Sequence, residues 1–150
     1  MITWQLKSFS QLTTKQLYAL LKLRVDVFVV EQNCPYPELD DKDHHDGVYH
    51  LLGYQGSTLV ACARLLPKGV SYPSVSIGRV AIAENHRGGG AGHQLLEEAL
   101  KVCEERWPSE SIEIGAQHHL SAFYQRHGFR PSSEMYLEDG IPHIDMTLEK

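Results

Sequence analysis

Apolar residues recur along the chain with two different periods, and each change of period marks a new element. Trp4 to Phe9 reads as a short first strand. Thr13 and Gln16 stand at capping-box spacing, which opens a helix, and Leu17, Leu20, Leu21 and Phe28 share one of its faces. Val48 to Tyr54 and Thr58 to Leu66 are rich in strand formers and flank Gln55-Gly56-Ser57, the pattern of an antiparallel hairpin. Val75 to Ile82 adds a third neighbouring strand. From Gly92 to Trp107 the period is helical again, with Leu95, Leu96, Ala99, Val102 and Cys103 on one side and Pro108 just past the end. A strand at Ser111 to Gly115, a short helix near Ser121 to His127 and two closing strands around Asp139-Gly140 follow. This order predicts a mixed α/β fold with an antiparallel first half and a strand–helix–strand unit at its centre.

Asn33 to Gly47 breaks the pattern. Pro35, Pro37, a run of acidic residues and His44-His45 carry no apolar period, so the segment reads as a long surface loop, a common place for function. Asp40-Asp41-Lys42-Asp43-His44-His45-Asp46 holds metal-binding residue types, but their spacing matches no defined site. The expectation is a solvated loop without metal, whose acidic residues attract a cationic amine.

The chain has 150 residues and 42% apolar composition, enough for one core, so residues 1–150 are expected to form a single domain. Lys plus Arg total 14 against 19 Asp plus Glu, with no basic block to neutralise a row of phosphates, which argues against nucleic acid as partner. Cys34, Cys62 and Cys103 are odd in number and widely spaced, indicating neither a disulfide framework nor a zinc knuckle. A reducing cytoplasmic setting is expected. Met1 to Lys7 lacks a basic stretch followed by an apolar one, and no apolar run approaches the roughly 20 residues that span a bilayer, so no membrane association is expected.

The most informative segment is Val80 to Gly92, a strand leading through Arg87-Gly88-Gly89-Gly90-Ala91-Gly92 into a helix. Helix N-termini present unpartnered N–H groups to anions, and glycines let the backbone approach a phosphate closely. A Walker A ending is missing, and the G-x-G-x-x-G pattern fails because His93 and Leu95 occupy the third glycine's place. What remains, Arg87-x-x-Gly90-x-Gly92, resembles the coenzyme A pyrophosphate loop of the GNAT family of N-acetyltransferases. Ala122-Phe123-Tyr124-Gln125-Arg126-His127-Gly128-Phe129 resembles the same family's later short helix and strand. Arg24 to Tyr36, Arg64 to Pro67, Gly78-Arg79-Val80 and Glu138 to His143 are similar to the ElaA-type branch, so the resemblance covers nearly the whole chain.

The resemblance implies a central, mostly antiparallel, splayed mixed sheet flanked by helices, and transfer of an acetyl group from acetyl-coenzyme A to a primary amine by direct attack. By the same resemblance Val80, Ala81 and Ile82 pair with the pantetheine arm, and the Ile82 amide faces the developing oxyanion. Arg87, Gly88, Gly89, Gly90, Ala91 and Gly92 hold the pyrophosphate, His119 lies near the coenzyme, and Tyr124 is the general acid for the leaving thiolate. No covalent enzyme intermediate is needed, so the cysteines read as packing residues. Glu31 and His50 are candidates for the base, and Arg64, Arg79 and His143 for lining the acceptor pocket. A small-molecule amine, a peptide N-terminus and a protein lysine all remain open as acceptors, and exposed strands at the closing hairpin suit a homodimer. Two other readings stand beside this one. Arg24 to Gln32 and Arg64 to Pro67 also resemble acyl-homoserine-lactone synthases, and a non-catalytic coenzyme A sensor would keep the same cleft.

Overall fold

The computed structural model describes residues 1–150. Eight strands form one sheet: β1 (Thr3–Ser8), β2 (Tyr49–Gln55), β3 (Thr58–Leu66), β4 (Val75–Ile82), β5 (Ile112–Gln117), β6 (Arg130–Pro131), β7 (Tyr136–Glu138) and β8 (Ile141–Leu148). Their order is β1-β2-β3-β4-β5-β8-β6, with β7 also on β8, and only the β4–β5 pair is parallel. That parallel pair needs a crossover, which α2 (Ala91–Arg106) supplies. α1 (Thr14–Val25) and α3 (Ser121–Gln125) complete the helices.

α1 starts where the sequence says it should: Thr13 Oγ1 accepts from the Gln16 amide at 3.1 Å, and Gln16 Oε1 accepts from the Thr13 amide at 3.0 Å. It does not run on as a regular helix to Phe28. Asp26–Glu31 widen into a π-helical segment, which re-aims the side chains beyond Val25 and brings Val27, Phe28 and Glu31 to the cleft described below.

Strand parity divides the core into two clusters, one on each face of the sheet. Leu51, Ala61, Ala63, Leu65, Val75 and Ile77 pack with Leu95, Leu96 and Ala99 of α2, whereas their neighbours Leu52 and Cys62 pack with Leu20 and Leu23 of α1. β4 changes allegiance partway. Ile77 faces α2, yet Ala81, four residues on, faces α1. An unbroken strand forbids that, and the register explains it: Arg64 opposes Gly78 and Cys62 opposes Ala81, so Arg79 and Val80 together face Ala63 across a β-bulge. Arg79 sits there at φ 49°, a left-handed conformation unusual for a non-glycine residue.

The acidic loop is not the solvated segment its composition suggests. Arg24, 1% exposed, donates to Glu38 Oε2 at 2.8 Å and to Asp43 Oδ1 at 2.7 Å. Arg64 grips Asp40 with two bonds of 2.8 Å and reaches Asp43 at 3.0 Å, and Arg79 donates to Glu38 Oε2 at 2.7 Å. The loop is therefore sewn onto α1, β3 and β4 by a network whose charges cancel. Glu38, Asp40 and Asp43 are not free to attract a cationic substrate; Asp41 and Asp46 alone of the acidic run stay exposed and unbonded to any arginine. No group of three or more His, Cys, Asp or Glu is arranged to hold a metal ion, and no helix is long and apolar enough to cross a membrane.

Candidate active site

β4 and β5 pair only at Val75 with Ile112 and at Ser76 with Glu113. Beyond that point the bulge carries β4 away, and the two strands diverge into a V. The space between them is a cleft of about 700 Å³, lined on one wall by Ile77 to Ile82 and on the other by Ile114 to Gln117. Both walls offer backbone N–H and C=O groups that β4 and β5 no longer give to each other. An extended ligand can complete such an edge as a strand does.

The glycine loop closes one end of this cleft. After a single 3-10 turn, Glu84–His86, the chain turns through Gly88 at φ 89° and Gly90 at φ 82°, values that favour glycine, and enters α2. Gly90 is the N-cap and offers no side chain, and the first turn of α2 carries no acidic residue. Gln94 is the first residue whose amide closes the helical ladder, onto the Gly90 carbonyl at 3.1 Å. The amides of Ala91, Gly92 and His93, which line the cleft, are left for an anion. A Cβ at Gly88, Gly89 or Gly90 would meet nothing within 4 Å, so these positions face open space, whereas one at Gly92 would lie 3.4 Å from the Phe123 ring. The loop thus fits a pyrophosphate, with Gly92 reserved for packing.

Arg87, the fixed cation expected for that anion, is already engaged. Its Nε donates to the Ile82 carbonyl at 3.0 Å, and its two terminal nitrogens donate to Glu31 at 2.5 and 2.8 Å. The hydrogen bonds and charge of Arg87 hold the Glu31 carboxyl below its ordinary range. Glu31 is therefore a guanidinium partner and a poor proton acceptor.

Tyr124 sits on α3 with its ring edge-on to Phe123 at 5.1 Å and to Phe129 at 5.9 Å, and it lines the cleft opposite β4. Burial pushes its hydroxyl up to about 12, so it is protonated at neutral pH and available as a donor. His119, on the 3-10 turn His118–Leu120 before α3, lines the same cleft. Val80, Ala81, Arg79 and His143 also line it.

Two expected site residues lie elsewhere. His50 is 1% exposed, donates from Nε2 to the Asp43 carbonyl at 3.0 Å, and is lowered from its ordinary value by burial. Arg64 is buried against Asp40 and Asp43. Neither lines the cleft, because β2 and β3 lie behind β4, and both belong instead to the ionic network. Sequence reasoning in turn gave no role to Phe28, Tyr36 and Glu138, which do line the cleft. Phe28 is delivered by the π-helical segment, and Tyr36 by a loop held through Glu38, neither of which has a periodic signal.

A splayed parallel pair, a helix N-terminus turned toward it by glycines and a tyrosine on the following short helix together define an acyltransferase cleft of the GNAT type. Residues 23–150 match the acetyltransferase (GNAT) domain family, and the chain belongs to that family. Within it the chain is of the ElaA type: it is 48% identical over 149 residues to the protein ElaA of Escherichia coli K12, covering 99% of this chain and 97% of that one. A UPF0039 protein of Schizosaccharomyces pombe is 40% identical over 144 residues, covering 95% of this chain and 94% of its own. The crystal structure of E. coli ElaA matches with a TM-score of 0.94, covering 99% of this chain and 100% of that one. An acyl-CoA N-acyltransferase from Pseudomonas aeruginosa, 46% identical, matches with a TM-score of 0.93 over 98% of this chain and 99% of its own.

Proposed function

We propose that this protein transfers the acetyl group of acetyl-coenzyme A to a primary amine, by direct attack within a ternary complex, in the reducing cytoplasm that suits its free, buried cysteines. The observation that carries this reading is the early end of β4–β5 pairing, which leaves a strand-accepting edge running from the mouth of α2 to Tyr124.

Val80, Ala81 and Ile82 supply the edge to which the pantetheine amides pair. The first amides of α2 and Arg87 take the pyrophosphate, for which Arg87 exchanges Glu31. The Ile82 amide stabilises negative charge on the thioester oxygen as the amine attacks. Tyr124, neutral at physiological pH, hydrogen-bonds the sulfur and gives it a proton as the carbon–sulfur bond breaks. Cys62 and Cys103, whose thiols burial pushes up to about 12, lie in the core and take no part.

Thiol release from acetyl-coenzyme A in the presence of a panel of amines tests the reading. The expected result is amine-dependent release that falls about 100-fold or more in Tyr124→Phe at saturating coenzyme. Arg87→Ala is expected instead to weaken coenzyme affinity by about tenfold, one charge-assisted contact being worth about 1.5 kcal/mol or more. Failure of the protein to bind coenzyme A at all would overturn the proposal.

A further inference from the structure

The reaction needs a neutral amine, and the groups that line the cleft differ in whether they can take its proton. Glu31 stands beside Arg87 at the glycine-loop end of the cleft, where the reading above places the pyrophosphate. His93 Nδ1 lies 2.8 Å from His127 Nε2, and either ring can be the donor, so this bond does not fix where the His93 lone pair lies. Tyr36 commits its proton to Glu38 at 2.6 Å. Of the three imidazoles that line the cleft, His93, His119 and His143, His143 is the one whose hydrogen bond fixes which nitrogen carries the lone pair. Its Nδ1 lies 2.8 Å from the Ile141 carbonyl, which can only accept, so Nδ1 carries the hydrogen and Nε2 of the neutral ring carries the lone pair.

The ring is also held in place. His143 lies on β8 opposite Gln117 of β5 and Tyr136 of β7, and it stacks on Tyr136 with centroids 6.0 Å apart and planes 24° from parallel. Asp145 Oδ1 fixes the Tyr136 hydroxyl at 2.7 Å and the Tyr72 hydroxyl at 3.1 Å. Nε2 lies 3.7 Å from Glu138 Oε2, beyond a good hydrogen bond but within reach of the carboxylate's charge. The side chain is only 12% exposed, yet it lines the cleft.

We propose that His143 is the general base for the acceptor amine, with Glu138 supporting the imidazolium that results. The assignment rests on the acetyltransferase reading above. Nε2 takes one proton from the bound ammonium, and the neutral amine then forms its bond to the thioester carbon. The surplus proton on nitrogen passes to sulfur through the Tyr124 hydroxyl, which gives up one proton and regains another. The carbon–sulfur bond breaks to leave amide and thiol, and His143 returns its proton to water. The charged and titratable groups facing the ring are Glu138 and Tyr136 from β7, with Asp145 and Tyr72 behind Tyr136; Gln117 from β5 is neutral.

The test compares kcat/KM of the unaltered protein, His143→Gln and the exposed-site variant Glu138→Gln between pH 7 and 9.5, using any alkyl amine that stimulates thiol release. At pH 7 His143→Gln is expected to be about 100-fold slower or worse. Its deficit is expected to shrink by up to about tenfold per pH unit as bulk solution supplies the neutral amine in place of the base. Glu138→Gln is expected to show the same convergence from a deficit of about two- to fivefold, the scale of one exposed charge interaction. Coenzyme titration checks that each variant is folded, with affinity unchanged. A deficit constant across pH in both variants, or none in either, overturns the assignment while leaving the acetyltransferase reading standing. No amine-dependent release by the unaltered protein overturns that reading, and this assignment with it.

Discussion

Arg87 and Glu31 are paired at the cleft, and under the proposed function the pair sets how much coenzyme binding must undo. Both side chains are about a third exposed. An ion pair of that kind is worth roughly 0.2–1 kcal/mol, less than two charge-assisted bonds to a pyrophosphate return. On the proposed acetyltransferase reading, Glu31 is a placeholder that keeps the guanidinium at the mouth of α2 and gives way to the pyrophosphate. Glu31→Gln removes the competing carboxylate and is expected to tighten coenzyme A binding by about two- to fivefold, measured by calorimetric titration. Weaker binding in this variant would show instead that Glu31 positions Arg87 for the phosphate. The glycine turn into α2, with Arg87 beside it, was legible in the sequence, because a helix start is set by neighbouring residues. The pairing of Arg87 with Glu31, far apart in the chain, was not.

At the scale of elements, the site depends on one extra residue in β4. The bulge at Arg79 and Val80 turns the strand away from β5, and Glu38 holds the left-handed Arg79 there through the 2.7 Å bond to its Nε. The same carboxylate neutralises Arg24 inside the protein at 2.8 Å. Glu38→Ala leaves Asp43 as the one carboxylate on the buried Arg24, shared with Arg64, so the network is one negative charge short; the loss is expected to cost about 3–5 kcal/mol, read as a lowered urea midpoint. Asp41→Ala, in the same acidic run but with a side chain 97% exposed, is expected to change stability by less than about 0.5 kcal/mol. Equal effects of the two variants would contradict the network. This contrast marks where sequence reading ended. The elements with a strong apolar period, α2 and the β2–β3 hairpin, fell close to their expected bounds. The loop from 33 to 47 was misread as solvated because a charged residue looks the same whether it faces water or a buried arginine, and its partners come from α1, β3 and β4. The two-residue β6 contains a proline and has no alternation to detect, and the bulge hides inside a run that reads as one continuous strand.

For the whole molecule, the ionic network joins the acidic loop to both helix and sheet, so its titration is coupled to global folding and gives stability a two-step dependence on pH. His50 is the first step. Burial lowers its pKa below the ordinary 6.5, so as pH falls through 6.5 the unfolded chain takes up a proton that the native protein refuses, and stability declines until the native ring also charges. His127, likewise lowered by burial and by His93, adds to the same window. Asp40 and Asp43 are the second step. Burial alone would push both carboxyls up, but Arg64 on Asp40, and Arg24 with Arg64 on Asp43, outweigh it and hold Asp40 well below, and Asp43 below, the ordinary 3.8. As pH falls through 3.8 the unfolded carboxylates protonate first, and the stability contributed by the native ion pairs is lost toward the lower native values. Urea midpoints measured from pH 8 to pH 3 are expected to be level above about pH 7, to drop below about 6.5, and to drop again more steeply below about 4. His50→Gln keeps an N–H donor for the Asp43 carbonyl and does not titrate, so it is expected to shrink the upper step to the part His127 contributes while leaving the lower one intact. An upper step of undiminished size in that variant would mean that the native His50 ring binds its proton as readily as the unfolded one, and that the site beneath β4 is less sealed from water than its burial indicates.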